Sequence, residues 1–90
     1  MTEGEALVAD PRYPQAGRIK AVTWLDATSG VITLNGPLRT PYRQFAIAAT
    51  VFAVSRASSG ARRFEFSYSG GRSPDHIRGL LKVGATIVLQ

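Results

Sequence analysis

The sequence predicts a mainly β domain closed into a small barrel, on three observations. Apolar residues alternate with polar ones at period two in several short runs. Turn residues (Ser29-Gly30, Asn35-Gly36-Pro37, Ser58-Ser59-Gly60, Ser69-Gly70-Gly71) recur at short intervals. One segment alone, after Ser73-Pro74-Asp75, carries a clear helix start.

Gly17 opens the first strand, Arg18 to Leu25. Read at strict period two, Ile19, Ala21, Thr23 and Leu25 face the core, and Arg18, Lys20, Val22 and Trp24 face away. Asp26 to Gly30 is a turn, and Val31 to Asn35 returns as the second strand. Two prolines, Pro37 and Pro41, make the next stretch a loop carrying Arg39, Tyr42 and Arg43.

Residues 42–57 read in two ways. Thr40-Pro41 suits the start of a helix, and an α+β fold follows if the segment is helical. A strand explains more, because it pairs with the next segment about Ser58-Ser59-Gly60. Val54 then opposes Phe64, Phe52 opposes Phe66, and Thr50 opposes Tyr68. On that reading Phe45, Ile47, Ala49, Val51 and Ala53 lie on the face opposite Phe52 and Val54, so this strand is apolar on both sides.

A short helix follows, with Ser73 as N-cap, Pro74 at the first helical position and Asp75 in the first turn. Ile77, Leu80 and Leu81 face the core, and Gly84 ends the element. Ala85 to Leu89 is a last strand, apolar enough to be interior rather than edge. Five strands with one helix before the last must hide their edges. A small five-stranded barrel, SH3-like or OB-like, does so, and the helix position fits the SH3-like plan better. Residues 1–16 are expected to be a mobile arm, and 17–90 a single domain.

Composition removes several functions. There is no cysteine and only one histidine, so thiolate or multi-histidine metal sites are not expected. Asp26 and Asp75 each have a turn or cap role, which leaves no carboxylate pair for hydrolysis. His76 is the only neutral base, so a nucleophile–base arrangement is not expected either. Neither a cofactor nor a small-molecule substrate is expected. No leader-like segment is seen and the apolar run Phe45–Val54 is too short to span a bilayer, so a cytoplasmic protein with no membrane partner is expected.

Charge is the positive signal. The chain carries a net +5, yet Glu3, Glu5 and Asp10 precede every basic residue. From residue 11 onward eleven Lys/Arg oppose three acids, a net of +8. Nine of the eleven are arginines, whose planar forks suit phosphate. An Ala-, Arg- and Gly-rich composition bias would also produce such counts. A cationic strand face of Arg18, Lys20 and Trp24, the loop residues Arg39, Tyr42 and Arg43, and a hairpin tip with Arg56, Arg62 and Arg63 combine cations with aromatic rings. Small barrels grip single-stranded DNA or RNA with such surfaces. Arg72 and Ser73, before the helix, form a secondary anion-binding candidate. Gly17–Lys20 and Ser29–Thr33 superficially resemble cold-shock domains, but that family's aromatic binding signatures are missing at the matching places.

The leading expectation is therefore a non-catalytic, weakly specific or nonspecific nucleic-acid-binding barrel. The alternative is a structural or assembly module: a homo-oligomer subunit, or a virion or secretion-apparatus component. It rests on the apolar surplus of residues 45–53.

Overall fold

A computed structural model describes residues 15–38, 42–57 and 60–90. These residues hold six strands: β1 (Gln15–Trp24), β2 (Ser29–Leu34), β3 (Gln44–Ile47), β4 (Thr50–Ser55), β5 (Arg63–Ser67) and β6 (Thr86–Leu89). Among the described residues one helix, α1 (Pro74–Leu80), precedes β6. Every pairing is antiparallel, and the order β1-β2-β5-β4-β3-β6 closes on itself. The mainly β barrel with a helix before the last strand is thus the observed fold, with six strands rather than five. Closure pairs the strand edges that a sheet this small would otherwise leave open.

The sixth strand comes from residues 42–57, which form neither a helix nor one strand. They fold into the β3–β4 hairpin about Ala48-Ala49, both left-handed (φ 49° and 64°). Two positive-φ residues closed by the Ile47–Thr50 pair are the geometry of a type I′ turn, whose twist matches that of the strands. The turn reverses the chain, so Phe45 lies opposite Phe52 and both point inward. The expected double-sided apolar strand disappears. Phe45 is fully buried and Ile47 packs against the core, while Val51 and Ala53 face out. Left-handed alanine costs about 1–2 kcal/mol per residue. Replacing Ala48-Ala49 by Asn-Gly is therefore expected to stabilise the barrel by about 1–2 kcal/mol, raising Tm by roughly 4–8 °C per kcal/mol in a thermal melt.

The β4–β5 hairpin forms as expected, but two residues out of the expected register. Val54 pairs with Phe66, Ser55 with Glu65 and Ala53 with Ser67. A shift of two preserves which face each side chain occupies, so the core assignment survives it. The connecting loop becomes longer, and the apolar Leu38 explains why. Leu38 is buried; its N–H donates to the Ala61 carbonyl at 2.7 Å, and its carbonyl accepts from the Gly60 N–H at 2.5 Å.

The core is aromatic. Phe45 stacks on Phe52 (centroids 4.8 Å apart, planes 5° apart) and meets Phe64 and Phe66 edge-on. Ile19, Ile32, Leu34, Ile87 and Leu89 complete it from β1, β2 and β6. Helix α1 starts as its sequence predicts: Ser73 Oγ accepts from the His76 N–H at 3.2 Å, with Pro74 in the first turn. Ile77 and Leu81 are buried and Leu80 half-buried. The helix ends at Leu80, before Gly84, whose left-handed backbone (φ 91°) serves a turn instead. Asp26 organises the β1–β2 turn. The Thr28 N–H and the Ser29 hydroxyl hold its carboxyl below its ordinary pKa.

Candidate nucleic-acid interface

The site turns on a bulge in β1. Ile19 pairs with Leu34, but Ala21, not Lys20, takes the next position opposite Thr33. The additional residue flips the inside–outside phase of the strand. Before it, Gly17 and Ile19 point inward; after it, Val22 and Trp24 do. Lys20 and Ala21 both remain exposed, and Leu25 emerges into solvent.

This corrects the expected Arg18/Lys20/Trp24 face. Arg18 is outward on β1 opposite Thr86, beside a shallow hollow it shares with Ala16, Gly17 and Thr86. Trp24 is on the opposite face, half-buried against the core, with its ring edge-to-face on Phe66 at 5.1 Å. The Arg78 guanidinium of α1 covers it, 4.5 Å from the ring centroid. Sequence spacing did not reveal that contact. Trp24 therefore belongs to the seam between barrel and helix.

Tyr42 also moves from surface to core. It is 5% exposed, and its hydroxyl donates to Gln15 Oε1 at 3.1 Å. Its ring is not presented for base stacking. Arg39 lies outside the described residues. In the secondary candidate, the Arg72 N–H donates to the Tyr68 hydroxyl at 2.8 Å, and Ser73 Oγ is occupied as the helix cap. The amide and hydroxyl meant for an anion are thus committed within the fold, and α1 has only seven residues.

The remaining cations lie toward one end of the barrel. Arg63 on β5 lies opposite Thr33 on β2, and Thr33 lies opposite Ala21, beside the bulged Lys20. Two strand spacings, roughly 10 Å, separate Lys20 from Arg63 across the outer surface. Arg62 precedes β5, and its carbonyl accepts from the Leu34 N–H. The Arg43 carbonyl accepts from the Val54 N–H, which places Arg43 next to the end of β4 that leads into Arg56. The Arg18 carbonyl accepts from the Asn35 N–H on the far side of β2. Six of the nine described cations thus gather around the barrel end that carries the β2–β3 and β4–β5 loops. Asp26 belongs to the opposite end, in the β1–β2 turn, and Asp75 to the helix start.

An open groove of about 300 Å³ lies within this belt, lined by Val31, Arg56, Arg63, Phe64 and Glu65. Arg56 adopts a left-handed backbone (φ 54°), and its side chain is 80% exposed. Its Nε stands 3.5 Å from Glu65 Oε2. An ion pair this open to solvent holds the two groups only loosely. Arg63 and Glu65 are two apart on one strand, so both project from the same outer face. Glu65 stands apart from Asp26 and Asp75, the two acids with turn and cap roles. Its signal is parity with Arg63 in the alternation Arg63-Phe64-Glu65-Phe66.

Among the described residues no three His, Asp or Glu side chains gather in a metal-binding group. No described helix is long and apolar enough to cross a membrane. No protein-family profile matches the chain, and no curated protein matches it in sequence.

Proposed function

We propose that this barrel is a non-catalytic binder of single-stranded nucleic acid, of weak or no sequence specificity, acting in the cytoplasm. The observation that carries the proposal is the gathering of Arg18, Lys20, Arg43, Arg56, Arg62 and Arg63 around one end, away from Asp26 and Asp75. Such a belt attracts phosphates and follows a flexible backbone. Relative to the sequence expectation the binding surface shifts: it is centred on the β2–β5 outer face and the hairpin tip, and Trp24 is not part of it.

Labelled single-stranded DNA and RNA, titrated at low and moderate salt, test the reading. Binding at low salt that weakens steeply with added salt is expected, because phosphate contacts release counterions. Absence of binding at low salt to either polymer would refute it. Trp24, the single tryptophan, reports where the ligand sits. Its emission is expected to stay nearly unchanged on binding. Strong quenching would instead return the site to the barrel–helix seam.

A second reading, an assembly module, keeps one specific observation. Ala16, Val88, Ala46 and Val51 form an outward row across β1, β6, β3 and β4. Val88 is 38% and Val51 49% exposed. Light scattering coupled to size exclusion discriminates, since a monomer at high concentration would count against it.

A further inference from the structure

We infer that Glu65 makes the groove a guanine-preferring subsite, an inference that rests on the nucleic-acid reading and refines it. Phosphate affinity alone does not account for a carboxylate here. Of the three acids among the described residues, Glu65 alone lies within the belt, between Arg56 and Arg63. A purely electrostatic phosphate channel is weakened by a negative charge at that point. The carboxylate is half-buried on the groove wall. It makes the single long contact to Arg56 Nε and no hydrogen bond among the described residues. Its acceptor capacity is therefore largely unused in the free protein.

The groove volume of about 300 Å³ is at the lower end of ligand pockets, roughly 300–1,000 Å³, and suits one nucleotide rather than a longer segment. Its walls divide the work. Arg56 and Arg63 supply fixed positive charge with forked donors for the phosphate. Val31, opposite Glu65 on β2, offers an apolar surface to the base face. Glu65 offers acceptors only. An unpaired base presents its Watson–Crick edge to such groups. Guanine has two adjacent donors there, an imino N–H and an amino group, which match the two oxygens of one carboxylate. Adenine and cytosine set a ring-nitrogen acceptor beside their amino group, which the carboxylate repels. Thymine and uracil flank their one donor with carbonyls. The groove therefore ranks guanine first by donor count and repulsion together.

The test uses the full chain and twelve-nucleotide oligothymidylates carrying one central guanine, adenine, cytosine or hypoxanthine. Guanine is expected to bind most tightly, with a preference over adenine inside the roughly 5- to 150-fold span of a bidentate base contact. Hypoxanthine, which keeps the imino N–H but lacks the amino group, is expected to fall between them. Glu65→Gln, whose amide sets a donor beside an acceptor, is expected to abolish the preference for guanine over adenine. Equal affinities for all four central bases in the wild-type protein would overturn the inference and leave general binding intact. So would a Glu65→Gln variant that weakens every strand by the same factor, since Glu65 would then only position Arg56. Failure of every strand to bind at low salt would instead overturn the nucleic-acid reading itself.

Discussion

Phe45→Ala is expected to lower the unfolding free energy by about 3–5 kcal/mol, the range for emptying a fully buried phenylalanine site. Phe45 has no exposed surface and contacts three other phenylalanine rings, one stacked and two edge-on. These rings come from β4 and β5, so no single element can relax to fill the cavity. Domains of this size have total stabilities of roughly 5–15 kcal/mol, so the substitution removes between about a fifth and all of that margin. Chemical denaturation followed by far-ultraviolet circular dichroism measures the change. A loss under about 1 kcal/mol would mean that the aromatic cluster is not the main support of the barrel. Phe45→Leu, which keeps most of the volume, is expected to cost much less.

The triple substitution of Arg56, Arg62 and Arg63 by alanine has the largest expected effect on binding. All three are exposed at or beside the groove, so the fold should tolerate the change. Taking about 1 kcal/mol for each solvent-exposed charge-assisted contact, affinity for single-stranded DNA should fall roughly a hundredfold at low salt. The slope of log K against log salt should shrink by about 2, near 0.7 for each single-strand phosphate contact removed. A matched triple substitution of Arg72, Arg78 and Lys82, on the loop before α1 and on or just after the helix, should leave that slope nearly unchanged. Equal losses in the two triples would show that net charge, and not the belt, drives binding. The Arg78 change should in addition alter Trp24 emission, because it uncovers the indole.

The site was less legible than the fold, and the reasons are particular. A bulge inserts one residue without any composition signal. The alternation Arg18, Lys20, Val22, Trp24 is a correct period-two reading of a strand that does not keep one phase. Below Lys20 the inside–outside assignment holds for Ile19; above it every assignment inverts, so the expected binding tryptophan is a packing residue. Tyr42 sits between prolines and arginines in a stretch that reads as surface loop, yet the barrel wall closes over it. The turn at Ala48-Ala49 lacks the Asn-Gly or Asp-Gly signature of its type, so β3 and β4 read as one segment. That omission created the apolar surplus behind the assembly reading. Once β3 folds back, Phe45 and Ile47 supply the core with Phe52 instead of facing away from it.

Other features needed no tertiary information. Ser73-Pro74-Asp75 specified the start of α1, because caps act through side-chain-to-backbone contacts within one turn. The shared face of Thr50, Phe52, Val54, Phe64, Phe66 and Tyr68 followed from alternation alone. Even the error in the β4–β5 register did not disturb it, since a slip of two returns each side chain to the same side. The sequence by itself determined a basic, cysteine-free, mainly β domain with one helix ahead of its last strand. Only the tertiary structure decided the sixth strand, the inversion at Lys20 and the placing of Glu65 between Arg56 and Arg63. The physical reason is range. Period and capping are local properties, written in neighbouring residues. Register, bulges and barrel closure are settled by which strands pair across the chain, and by how the four phenylalanines, Leu38 and Tyr42 find room inside one small core.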